Sequence, residues 1–187
     1  ERKLLNSTFS QDIVLGYGSR RLDFVTTVQW DELHRLLKVS FPVDVQATEG
    51  LNEIQYGYMK RPTHRSRAYD KDRFEVCNQR WSALMDQSHG AAVLNDCKYG
   101  VSMHGNDLRL TLLRAATCPE LKTDQGEHTF TYSFTAWDGP FLHAPVVREA
   151  YALNVPARVV PGQTEDFGAF VLDEDNVFID AVKPAED

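Results

Sequence analysis

No stretch of this sequence approaches the run of about eighteen apolar residues that a bilayer-spanning helix requires, so a membrane-spanning helix is excluded. Cysteine is scarce. Cys77, Cys97 and Cys118 cannot all pair within one chain, and no two stand in a CxxC spacing, so neither a disulfide framework nor a redox or metal pair is indicated. Reduced, buried thiols of a cytoplasmic protein are the expectation. Histidine is present but unpatterned: His34, His64, His89, His104, His128 and His143 form no HxD, HExxH or close pair that would hold zinc. GxSxG, a phosphate-binding glycine loop and a dinucleotide fingerprint are all missing. Positive charge is outweighed, with a formal net charge of -7 and dispersed basic residues, so nucleic acid is not an expected partner. The opening Glu1-Arg2-Lys3 has neither an initiator Met nor the character of a signal peptide, which suggests a segment of something longer.

What remains is strand-forming sequence. A chain of 187 residues buries roughly 70% of its unfolded surface, enough for a core without staples. Its clearest alternation puts Phe130, Tyr132, Phe134 and Ala136 on one face and Thr129, Thr131, Ser133 and Thr135 on the other, the pattern of a half-buried antiparallel strand. Runs rich in β-branched and aromatic residues predict further strands at 11–17, 22–27, 36–45, 53–59, 74–78, 91–94, 107–113, 150–155, 169–172 and 177–182. Turn chemistry at His104-Gly105-Asn106-Asp107, Asp138-Gly139-Pro140 and Asp173-Glu174-Asp175-Asn176 separates several of them. Two short stretches, 30–37 and 81–87, could be helical. The expectation is an all-β fold, a large antiparallel β-sandwich over residues 1–183, followed by an acidic tail at 184–187. The charged stretch 60–73 is the longest without a predicted strand, and loops of that length are often functional or packed against something else.

Chemistry concentrates at Asn95-Asp96-Cys97-Lys98-Tyr99-Gly100, where an apolar strand ends in amide, carboxylate, thiol, ammonium and phenol. Such groups either close a hydrogen-bonded turn or face a site, and sugar recognition uses this mixture of carboxylate, amide and aromatic face. Arg114 follows the alternating run 108–113, where a long cation either pairs at the surface or projects into a cleft. Glycoside hydrolysis requires two positioned carboxyl groups. Asp70 with Asp72 and Asp173 with Asp175 are close in sequence, but both sets read as loop and turn residues.

Several blocks together resemble the C-terminal region of glycoside hydrolase family 38 α-mannosidases of the cytosolic and bacterial type. They are Ser19-Arg20-Arg21-Leu22-Asp23-Phe24, residues 36–45, Arg61-Pro62-Thr63-His64, Phe74-Glu75-Val76, Arg80-Trp81, residues 93–100 and Leu112-Leu113-Arg114-Ala115, in the family's order. The resemblance implies a galactose-mutarotase-like supersandwich that follows a catalytic α/β domain and a helical segment of the same polypeptide. It also implies that zinc, its ligands and the nucleophile lie in those upstream parts, with no catalytic or metal-binding residue in this chain. An arginine of this region approaches the mannose cleft in the family, which makes Arg114 the foremost candidate to bind an α-mannoside. Asn95, Asp96, Lys98 and Tyr99 come next, and Arg109 is the neighbour most easily mistaken for Arg114. Cytoplasmic location, docking on the upstream domains and self-association of the severed chain complete the expectation. An independent carbohydrate-binding module is the alternative. A mutarotase-like epimerase using His104, His128 and Glu149 is a more remote one.

Overall fold

The computed structural model describes residues 1–162, 168–174 and 176–185. The chain divides into two units, residues 1–156 and 157–187. The first is an all-antiparallel β-sandwich, in agreement with the fold class read from the sequence.

An eight-stranded sheet runs in the order β1 (Arg2–Leu4), β2 (Ser7–Leu15), β3 (Leu22–Trp30), β12 (Gly126–Asp138), β9 (His89–Asn95), β8 (Trp81–Met85), β5 (Glu49–Ile54), β6 (Gly57–Pro62). A four-stranded sheet, β4 (Leu36–Pro42), β11 (Asp107–Arg114), β10 (Gly100–His104), β7 (Val76–Cys77), covers part of one face. Between the sheets, Val28, Trp30, Leu84, Val93, Phe130 and Tyr132 meet Val101, Leu108, Leu110 and Leu112. On the opposite face of the large sheet, Leu51, Trp81, Ala83, Ala92, Leu94 and Trp137 pack beneath Val146 and Ala150 of helix α2 (Val146–Asn154).

This double covering explains where the sequence misleads. β8 and β9 are buried on both faces, so the two-residue period is erased and Trp81-Ser82-Ala83-Leu84-Met85, read as a possible helix, is a central strand. Residues 150–155, expected as a strand, lie mostly in α2. Pro145 presets the entry to the first turn, and Val146 and Ala150 lie one turn apart on the buried side. The possible helix at 30–37 is instead the end of β3, a connection in which His34 has a φ of 54°, and the start of β4. The expected strand at 53–59 is a hairpin: β5 ends at Ile54, Tyr56 turns with a φ of 54°, and β6 begins at Gly57.

The large sheet overhangs the small one at its β2 side. Ile13 and Leu15, in register with Phe24 and Leu22, are 63% and 64% exposed. The three cysteines are exposed rather than buried, because Cys77 ends a two-residue edge strand while Cys97 and Cys118 lie in connections.

In the second unit the described residues are exposed and form no strand, so the strands expected at 169–172 and 177–182 are absent. Valine and isoleucine favour extended backbone, but a strand also needs a ladder partner. Asp175 of the expected turn and residues 186 and 187 of the acidic tail lie outside the described residues.

Candidate functional site

Asn95 closes β9 and is fully buried. Its Nδ2 donates to Gln79 O at 2.8 Å, and its Oδ1 accepts Lys98 N–H at 2.8 Å. Both ends of the amide are therefore committed to shaping the turn that follows. Asp96 continues it: Oδ2 accepts Thr131 N–H at 2.8 Å, which ties the turn to β12. Cys97 is exposed as a residue, but partial desolvation of its thiol and then the adjacent Asp96 carboxylate push it up to about 11, which favours the protonated thiol at neutral pH.

The turn delivers Lys98 and Tyr99 to the rim of a solvent-open cavity of about 270 Å³, which Arg114 also lines. The ammonium of Lys98 sits 4.4 Å from the centroid of the Phe130 ring, a cation–π contact that fixes its direction. Tyr99 is 56% exposed and offers an aromatic face. Arg114 ends β11 opposite Leu36. Its backbone N–H donates to Asp124 Oδ2 at 3.2 Å, while its guanidinium makes no ion pair among the described residues. Arg109, by contrast, is paired with Asp107 and does not line the cavity. Of the five residues singled out from the sequence, Lys98, Tyr99 and Arg114 converge on the cavity. Asn95 and Asp96 stand behind it and hold the turn.

Four further polar residues reach the same cavity from distant segments. They are Glu75, Thr111, Asp124 and His128. His128 Nε2 lies 2.7 Å from Asp124 O, which pins the connection between β11 and β12 against the cavity wall. Glu75 is tethered through Oε2 to Lys38 Nζ at 3.1 Å. No local pattern marks these four: the register of β7, β10 and β11 brings Glu75 beside Thr111, while Asp124 comes from the connection between β11 and β12 and His128 from β12 of the large sheet. His104 and Glu149 do not line the cavity with His128; Glu149 instead accepts Arg21 Nη1 at 3.1 Å.

The loop after β6 closes through helix α1 (Ala68–Asp72) over a second cavity of about 40 Å³, lined in part by Asn52, Arg61, His64, Asp70 and Arg73. That volume suits a few ordered waters. Among the described residues no three His, Cys, Asp or Glu side chains are grouped to hold a metal ion.

Against known proteins, the profile of the glycosyl hydrolases family 38 C-terminal domain matches residues 1–122. Human alpha-mannosidase 2C1 is 41% identical over 185 residues, covering 97% of this chain and 18% of the human protein. Alpha-mannosidase G of Dictyostelium discoideum is 36% identical over 189 residues, covering 97% of this chain and 17% of that protein. Among solved structures, an alpha-mannosidase from Enterococcus faecalis V583 superposes with a TM-score of 0.70 at 20% identity, over 79% of this chain and 18% of that one. That likeness concerns the fold. The chain thus spans under a fifth of the length of the relatives it matches.

Proposed function

The chain belongs to the glycosyl hydrolase family 38 C-terminal domain family, and from that premise we propose that it is the non-catalytic β region of a retaining α-mannosidase. In the complete enzyme one carboxylate attacks the anomeric carbon and a second serves as acid and then base. Those groups, with the zinc that steadies the sugar hydroxyls, belong to the preceding domains in this reading. The β region closes one wall of the cleft and braces the catalytic domain.

The observation that carries the reading is the convergence of Lys98, Tyr99 and Arg114 on one open cavity, where the guanidinium has no ionic partner among the described residues. An exposed ring beside the Arg114 guanidinium suits a pyranose, whose C–H face stacks while its hydroxyls accept. The overhanging Ile13 and Leu15 give the preceding domains an apolar surface to cover, and the severed chain a surface through which to self-associate. Three exposed, unpaired thiols fit a reducing compartment, so cytoplasmic location is part of the proposal.

The test is complementation. The chain is added to a family 38 α-mannosidase from which the matching C-terminal segment has been removed, and release of nitrophenol from a nitrophenyl α-mannoside is followed. Activity is expected only in the mixture, and Arg114→Ala should restore about tenfold less, the loss that accompanies a missing charge-assisted hydrogen bond. Full restoration by Arg114→Ala removes Arg114 from the cleft. Saturable mannose binding by the chain without restored turnover favours a free-standing carbohydrate-binding module.

A further inference from the structure

Glu75 lies just before the short edge strand β7, and its carboxylate is split between two environments. Oε2 is held 3.1 Å from Lys38 Nζ, and that ammonium is itself fixed by Ser102 Oγ at 2.9 Å, so the acid is anchored from the outer face of the four-stranded sheet. Oε1 makes no hydrogen bond among the described residues. The side chain can lie there because position 100 is glycine. A Cβ on Gly100 would stand 2.6 Å from Glu75 Oε1 and 3.2 Å from Thr111 Cβ. Both Glu75 and Gly100 line the cavity that Tyr99 and Arg114 share.

We propose that Glu75 is a sugar-binding residue of this cavity, with Oε1 accepting a hydroxyl proton of the α-mannoside that Arg114 meets from the other wall. The inference rests on the cleft reading above and deepens it. An anchored carboxylate and a guanidinium in one open depression supply an acceptor and a donor, the pair needed to bridge neighbouring hydroxyls of one ring. Lys38 sets the direction of the acid and reduces the cost of holding a half-buried charge, the arrangement expected of a side chain presented to a ligand. Gly100 is required for the space it leaves, since its neighbours include the acid itself.

The test titrates the isotopically labelled 187-residue chain with methyl α-mannoside and with its monodeoxy analogues, following backbone amide shifts for the wild type, Glu75→Gln and Gly100→Ala. Wild-type shifts are expected at residues 75, 98–100 and 111–114. Glu75→Gln should bind at least about tenfold more weakly with an unchanged melting temperature, as loss of a hydrogen bond to a charged acceptor predicts. Gly100→Ala, which displaces the acid without removing it, should weaken binding in the same way. One monodeoxy sugar should bind the wild type as weakly as the parent sugar binds Glu75→Gln, and Glu75→Gln should no longer distinguish the two. Equal affinity of wild type and Glu75→Gln, with shifts at Tyr99 and Arg114 intact, overturns the role of Glu75 alone. No cavity shifts with any mannoside overturns the cleft reading along with it.

Discussion

Asp86 shows how much one side chain can fix. It caps the turn between β8 and β9, where Oδ1 accepts the N–H of Ser88 at 2.8 Å and of His89 at 3.1 Å. These bonds, led by that from Ser88, hold its carboxyl down at about 2. A carboxyl whose folded value is depressed stabilises the fold above its unfolded range, about 4, and that contribution is lost as pH falls through the folded value. Asp86→Ala is therefore expected to lower the melting temperature at pH 7, with the gap to wild type closing as the pH approaches 2; a gap constant across that range would contradict it. At this scale the cavity was partly legible. Lys98, Tyr99 and Arg114 stand at strand ends, where sequence shows polar groups abruptly following apolar ones. Glu75 and Asp124 were illegible as members of the cavity, since neither reaches it through a local pattern. Asn95 and Asp96 carry the same signal as their neighbours, yet their bonds to Gln79, Lys98 and Thr131 turn them into the chain behind the cavity, and Asp96 Oδ1 is buried without a hydrogen-bond partner among the described residues.

Among the elements, legibility followed exposure. The alternation of β12 made the strand plain, but not its burial: Ser133 and Thr135, expected on the open face, are fully buried where both faces of the sheet are covered, and Ala136 is exposed. β8 and β9, sandwiched between the small sheet and α2, lost their alternation. The edges of that packing differ in hardness. A Cβ at Gly90 would stand 2.2 Å from Trp137 Cζ2, on the residue directly opposite in register, whereas one at Gly50 would meet the Met103 sulfur at 2.1 Å. An indole locked in a core cannot yield, while an unbranched thioether can rotate away. In urea denaturation Gly90→Ala should cost about 1–3 kcal/mol and Gly50→Ala measurably less. Helix propensity plays no part in either strand, so equal costs would show that the Trp137 side of the sheet is as adaptable as the Met103 side. The short α2 was misread for a related reason: its apolar residues satisfy a strand preference locally, and only the large sheet beneath selects the helical stripe.

The β-sandwich is a scaffold on which an open cavity gathers acceptors, donors and an aromatic face, without a metal-ligand cluster among the described residues. Its family and sandwich class were readable because many weak blocks fell in one order along most of the chain. The overhang at Ile13 and Leu15 was not, since an alternating apolar strand looks alike whether its inner face meets a second sheet or stands uncovered. Under the proposed function, bond cleavage falls to the preceding domains, and sugar contact and bracing to this one. The direct test is the turnover of a nitrophenyl α-mannoside by the pure 187-residue chain, with and without added zinc. The account predicts a rate equal to buffer in both. Zinc-dependent release of nitrophenol by the chain alone would contradict it.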